Sequence, residues 1–207
     1  LANGHFQTQG EFGLSLERMN AIEEIDTENR TMTVQAGCIL QVAVEAAEEH
    51  DLLLPMDFGA RGSATVGGVV ATNAGGNRVI RYGMAREVVL GLEVVLADGT
   101  VVTSLNKMLK NNTGYDIKQW FIGAEGTLGV VTRVVLRLRP SPRSQCTALL
   151  AVDSFAALTS LLRMLDARTA GTLSGFEVMW PEFYSYVTRE GSLHKPPLPH
   201  GSAFYVL

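Results

Sequence analysis

Six glycines, Gly59, Gly62, Gly67, Gly68, Gly75 and Gly76, crowd into the run LPMDFGARGSATVGGVVATNAGG between Leu54 and Gly76. Fixing a glycine where alanine would serve costs roughly 0.5–1 kcal/mol, so the six together cost on the order of 3–6 kcal/mol. A domain stable by about 5–15 kcal/mol carries that burden only for a reason, either positive φ or a close approach of backbone to a ligand. Ser63, Thr65, Thr72 and Asn73 stand between the glycines. Their short side chains add donors to a row of bare backbone N–H groups, the chemistry of an anion-binding concavity for a phosphate or pyrophosphate.

Other readings of the same run are weaker or narrower. Ala64, Val66, Val69, Val70 and Ala71 make it too apolar for a flexible linker. A ligand-free corner of bulges and tight turns stays open beside the ligand reading. Gly62 and Gly67 have P-loop spacing, but Gly68 and Val69 occupy the positions that need Lys and Ser or Thr. No dinucleotide fingerprint follows a strand. The residues alone lead to a phosphate-bearing cofactor held by neither of those devices.

Catalytic side chains are harder to find. His5, His50, His194 and His200 have no carboxylate at a recognisable spacing, so none reads as a poised base. His50 reads as solvated at a helix end, and His194 and His200 as part of a proline-stiffened exposed loop rather than a metal pair. Arg61, Arg78, Arg81 and Arg86 are the cations nearest the glycines. Each is expected to be solvated, with reach to a cofactor phosphate or a substrate carboxylate as the alternative. Glu125, between glycines in an apolar segment, needs a bonding partner and is expected to brace its loop. Cys38 and Cys146 follow no metal or redox spacing and are expected as buried free thiols.

The run PMDFGARGSATVGGVVATNAGG, followed by RYG at Arg81 to Gly83, LEVVLADGT at Leu92 to Thr100 and NTGYDIKQWFIGAEGTLGVVT at Asn112 to Thr132, strongly resembles the FAD-linked D-2-hydroxy acid dehydrogenases. The resemblance covers nearly the whole chain and is densest from Pro55 to Pro140. It implies an α+β chain: a vanillyl-alcohol-oxidase or PCMH-type FAD-binding domain with a mainly antiparallel sheet, then the start of an α+β, ferredoxin-like cap. By that resemblance, cofactor contacts fall at Pro55, Asp57, Gly59, Gly62, Ser63, Ala64, Thr65, Gly67, Gly68, Thr72, Asn73, Gly75, Gly76 and Gly83. A second set falls at Gly123, Glu125, Gly126, Gly129, Val130 and Val131. A branched side chain at Gly67 or Gly68 is expected to fill the space of the pyrophosphate. The implied activity is oxidation of a D-2-hydroxy acid by hydride transfer to flavin N5, with D-2-hydroxyglutarate favoured and D-lactate or glycolate as alternatives. An alditol oxidase, a cell-wall reductase or a non-catalytic FAD-binding subunit on the same fold remain alternatives.

The resemblance also implies non-covalent FAD, since the central loop has no cysteine or histidine. It places the catalytic histidine, the substrate arginine and any metal ligands, for zinc or another divalent ion, beyond Leu207. Its electron acceptor is an electron-transfer flavoprotein or a quinone, and it admits a homodimer. The opening LANGHFQTQG resembles the second half of a first glycine-rich loop and the closing AFYVL reads as a strand without a following turn, so the chain is expected to be a fragment.

These motifs need a scaffold, and 207 residues with 46% apolar side chains can build one. A net charge of -4 without a basic block gives no footprint for nucleic acid. No apolar run approaches the ~20 residues of a membrane span, and the cytoplasm is the expected compartment. Phe12, Leu14 and Leu16 alternate as a short strand, as do Met32, Val34 and Ala36. Leu40, Ala43, Val44 and Ala47 make a helical stripe. Asp98-Gly99 joins Val88–Leu96 to Val101–Thr103 as a type I′ hairpin. Ile117, Trp120 and Phe121 make a short helix with the Trp in the core, and Val130, Thr132, Val134, Leu136 and Leu138 are one face of a long antiparallel strand. The proline-bearing Pro140 to Ser144 divides residues 1–143, the FAD-binding domain, from 144–207, the cap. In the cap, Cys146–Val152 and Leu173–Met179 read as strands. Ser154–Arg168 reads as a helix with Phe155, Leu158, Leu162 and Leu165 inward. A second helix opens at Pro181 and carries Phe183, Tyr184 and Val187.

Overall fold

A computed structural model describes residues 8–189 and 195–207; His5 and His194 lie outside them. The chain divides into two compact units, Leu1–Gly76 with Gly83–Pro142, and Asn77–Tyr82 with Arg143–Leu207.

In the first unit β1 (Ile22–Asp26) and β2 (Thr31–Gln35) pair antiparallel. Asp26 closes their turn by accepting from the Asn29 backbone and side-chain amides at 2.9 and 2.8 Å. Next come α1 (Leu40–Glu48), β3 (Leu52–Leu53) and α2 (Val66–Ala71). The four-residue α3 (Val79–Tyr82) belongs to the second unit. Then α4 (Ala85–Val88) runs into β4 (Val89–Val95), and β5 (Val101–Ser104), α5 (Lys118–Phe121), β6 (Val130–Arg137) and β7 (Arg139–Pro140) follow. The main sheet has the order β1-β2-β6-β4-β5 with every pair antiparallel, and β3 with β7 makes a small separate ribbon.

The helical stripe is as expected: Leu40, Ala43, Val44 and Ala47 of α1 are all buried. They pack in one cluster with Met32, Val34, Val66, Val70, Val94 and Leu136. Each such Leu or Val contributes about 1.5–3 kcal/mol by leaving water. Across the sheet, Arg133 pairs with Glu23 at 2.8 Å and Glu93 at 2.7 Å, bridging β6 to β1 and β4.

The second unit holds β8 (Leu150–Val152), α6 (Phe155–Thr169), β9 (Val178–Met179), α7 (Pro181–Val187) and β10 (Phe204–Val206), with an antiparallel sheet of order β8-β10-β9. Ser154 caps α6 by accepting from the Ala157 amide at 3.1 Å, and Pro181 opens α7 where its missing N–H costs nothing. Among the described residues no helix is long and apolar enough to cross a membrane.

Several expectations are corrected. Phe12, Leu14 and Leu16 form no strand, and Phe12 and Leu14 are exposed. Alternation without a neighbouring strand to bond does not make a ladder, and the first strand is Ile22–Asp26. The Asp98-Gly99 turn has positive φ at Gly99 alone, +85°. With the Gly99 amide on Leu96 O, this is a type I turn followed by a left-handed glycine rather than type I′. Trp120 is 68% exposed, because α5 is a single turn that buries only Phe121. Cys38 is buried and free, its thiol pushed up by burial, whereas Cys146 is exposed. The strands expected at Cys146–Val152 and Leu173–Met179 shrink to Leu150–Val152 and Val178–Met179, and Phe155 and Phe183 are exposed while Leu158 and Tyr184 are buried.

Candidate functional site

Within the first unit, α2 and the turn from Gly123 to Gly129 form two walls of one cavity of about 320 Å³. Thr65, Gly67, Gly68 and Ala71 line it from α2, and Glu125, Gly126, Gly129, Val130 and Val131 from the other side. Leu14, Leu16 and Glu17 close a third side. Reading that segment as a strand hid its role, and nothing in its own residues marks it. A separate cavity of about 360 Å³ lies among β4, β5 and the residues from Asn106 to Phe121, and it touches none of the cofactor positions named from the sequence.

The glycines fall into different classes. A Cβ on Gly67 would lie 2.6 Å from the Ala36 Cβ, and on Gly76 2.0 Å from Asp57 O, so both glycines let backbone pack against backbone. Gly129 is crowded as well, with the Val94 side chain 2.6 Å and Val95 O 3.0 Å from a Cβ there. Gly83, Gly123 and Gly126 hold φ of +79°, +84° and +77°, which side chains rarely adopt. Gly59 and Gly62 have neither cause, and a Cβ on Gly68 would meet only Thr65 Oγ1, at 3.2 Å. For these three, open space beside the backbone is what a ligand would use.

The expected row of bare amides is only partly bare. Val66 N–H donates to Cys38 O, Gly67 N–H to Ala36 O and Gly68 N–H to Thr65 Oγ1, so the start of α2 is satisfied by protein. Among the described residues the amides of Gly59, Ala60 and Gly62 have no partner. These open donors lie beside Arg61, which pairs with Asp57 at 2.7 Å. Among the described residues, the only charged ones lining the cavity are Glu17 and Glu125, with Val130 and Val131 as apolar neighbours. Glu125 is exposed rather than buried in an apolar segment, and its backbone, at φ +51°, donates to Ala71 O at 2.9 Å.

Of the other positions named, Pro55 is buried beneath the stretch, and Gly75 is exposed. Ser63 bonds to Ala60 O and Ala64 to Leu40 N–H. Thr72 Oγ1 turns back to Gly68 O at 2.9 Å, and Asn73 Oδ1 accepts from the Arg86 amide at 3.0 Å, so both serve the end of α2. Arg86, expected to be solvated, is half-buried and bonded to carbonyls. Among the described residues no group of three or more His, Cys, Asp or Glu side chains is placed to hold a metal.

Residues 2–104 match the family described as FAD binding domain. The chain is 45% identical over 194 residues to the mitochondrial D-2-hydroxyglutarate dehydrogenase of Bos taurus, covering 94% of this chain and 35% of that protein. It is 41% identical over 207 residues to the D-2-hydroxyglutarate dehydrogenase of Xanthomonas citri pv. viticola, covering 100% of this chain and 43% of that one. To the D-2-hydroxyglutarate-pyruvate transhydrogenase of Saccharomyces cerevisiae it is 40% identical, over 82% of this chain and 34% of that protein. It thus spans about a third to two fifths of the length of these curated relatives. A solved structure of alkyldihydroxyacetonephosphate synthase shares the fold, with a TM-score of 0.66 at 24% identity over 80% of this chain and 29% of that one. The glycine-lined cavity, the antiparallel sheet behind it and these matches agree: residues 2–104 of the chain belong to the FAD binding domain family.

Proposed function

We propose that the protein is an FAD-dependent dehydrogenase that oxidises a D-2-hydroxy acid to the 2-oxo acid, with D-2-hydroxyglutarate ahead of D-lactate and glycolate. The observation that carries this reading is the meeting of α2 and the Gly123–Gly129 turn at one cavity, in a chain whose relatives are named D-2-hydroxyglutarate dehydrogenases. Its volume lies at the lower end of the ~300–1,000 Å³ of small-molecule sites, which suits part of an extended dinucleotide. In this reading Gly68 and Gly126 leave space for the cofactor, Val130 and Val131 exclude water from its apolar part, and the free amides of Gly59, Ala60 and Gly62 take its phosphates. When bound, FAD supplies the acceptor for the hydride that leaves C2 of the substrate.

The flavin is proposed to be held without a covalent bond, as the absence of cysteine and histidine from the central loop, Leu54 to Gly76, suggests. The catalytic base, the substrate arginine and the ligands of any zinc or other divalent ion are assigned outside the described residues. Residues 1–143 are proposed as the FAD-binding domain and 144–207 as the opening of the cap. Electrons are proposed to pass to an electron-transfer flavoprotein or a quinone, and the proposed setting is the cytoplasm, supported by the free thiol of Cys38. The yeast relative's name favours one second reading, a 2-oxo acid as the acceptor. Dye reduction by D- and L-2-hydroxyglutarate, with and without pyruvate and with peroxide measured in parallel, tests the set. Peroxide release as fast as dye reduction would overturn the dehydrogenase reading.

A further inference from the structure

We propose that Arg86 is a positioning residue that holds the two walls of the FAD cavity in register; this rests on the functional reading above. The arginine links the end of one helix to the end of another. Its own N–H is an orphan of the first turn of α4, where Met84 offers no side-chain cap. Asn73 Oδ1 takes that N–H at 3.0 Å, and Ala74 O takes the Ala85 N–H at 2.9 Å. Asn73 can do this because it sits at φ +47°, just past the end of α2, a conformation asparagine tolerates better than most side chains.

The guanidinium of Arg86 reaches α5, whose end leads into the opposite wall. Nη1 donates to Gln119 O at 2.9 Å and to Gln119 Oε1, and Nη2 donates to Ile122 O. The backbone carbonyls belong to the single turn of α5 and its C-cap, Ile122, where a helix leaves its last acceptors unpaired. One residue further on, the Gly123 amide donates to Val70 O at 3.1 Å, and the Glu125 amide donates to Ala71 O at 2.9 Å. The hydrogen bonds thus close a ring: the end of α2 to the start of α4, the Arg86 side chain to the end of α5, and the turn after α5 back to the end of α2. Ala71 and Glu125, the last pair in that ring, both line the cavity. A planar fork that satisfies three acceptors at once is a task for arginine, since lysine brings one flexible point charge.

The test uses the purified protein with Arg86→Lys, Arg86→Ala and Gln119→Ala. In the FAD-free state, hydrogen exchange of the Gly123 and Glu125 amides is expected to speed up by about tenfold or more in both Arg86 variants, while Val134–Leu136 in β6 keep their protection. FAD affinity should fall by about tenfold or more in both, and less in Gln119→Ala, which keeps the two backbone carbonyls. Wild-type exchange at Gly123 and Glu125, or an Arg86→Lys protein that binds FAD as tightly as wild type, would overturn the assignment. So would loss of protection throughout β6, since Arg86 would then support the whole fold. A wild-type protein with no affinity for FAD would instead overturn the functional reading, with the exchange rates still deciding the role of Arg86.

Discussion

Gly67 rests directly on Ala36: its amide donates to Ala36 O at 2.7 Å, and a Cβ on it would come within 2.6 Å of the Ala36 Cβ. The next glycine, Gly68, is exposed, lines the cavity and has only Thr65 Oγ1 within 4 Å of a Cβ. The two therefore answer to different forces. Gly67→Ala is expected to destabilise the FAD-free protein by about 1–3 kcal/mol, through overpacking against backbone that cannot move aside. Gly68→Val should keep FAD-free stability within about 1 kcal/mol, since valine has no worse helix propensity than glycine, yet lose FAD. Thermal unfolding without cofactor and an FAD titration separate them; a Gly68→Val protein with wild-type affinity would mean that the cavity is not the cofactor's.

The turn between β1 and β2 carries a pH dependence of its own. Hydrogen bonds from Asn29, helped by Lys107, hold the Asp26 carboxyl at about 2, below its ordinary 3.8. A group depressed in the folded state stabilises fully above its unfolded value and loses that contribution as pH falls through the folded one. Stability from Asp26 is therefore present above about pH 4 and lost on the way to about pH 2. Asp26→Asn should flatten that part of the profile, read as urea midpoints at a pH above and a pH within this window. Parallel profiles for the two proteins would contradict it.

Where the sequence was legible, one physical signal dominated. Leu40 to Ala47 announced α1 because a buried face repeats at helical spacing, and Val130 to Leu138 announced β6 because Thr132, Val134, Leu136 and Leu138 alternate into the core, with Val131 and Val135 buried on the other face as well. The junction of the Thr65–Ala71 and Gly123–Gly129 segments followed from motif resemblance, not from periodicity. What stayed hidden depends on partners distant in the chain. Gly67 and Gly68 look alike until Ala36 is seen beside one of them, and Arg86 looks solvated because two of its acceptors are backbone carbonyls, which no side chain advertises. Trp120 looked like core because an i, i+3, i+4 pattern says nothing of how short its helix is.

In the second unit, Thr188 Oγ1 spends its hydrogen on Tyr184 O at 2.7 Å, so it accepts from His200 Nε2 at 2.8 Å. That bond gives His200 a structural task. His200→Ala should cost about 1 kcal/mol of stability, a typical hydrogen bond, and keep most of kcat; the same kinetic outcome is expected for His194→Ala. A general base would contribute roughly 10²- to 10⁴-fold. A hundredfold fall in kcat with D-2-hydroxyglutarate, FAD still bound, would put the base in this unit.

The central claim is that the cavity between α2 and the Gly123–Gly129 turn holds the flavin of a D-2-hydroxy acid dehydrogenase. The most direct measurement is the visible spectrum of the purified, FAD-supplemented protein under anaerobic conditions as D-2-hydroxyglutarate is added. The predicted result is stoichiometric bound flavin whose oxidised absorption bleaches with the D enantiomer and persists with the L enantiomer. A protein that takes up no flavin, or one whose bound flavin stays oxidised with every D-2-hydroxy acid tried, would contradict it.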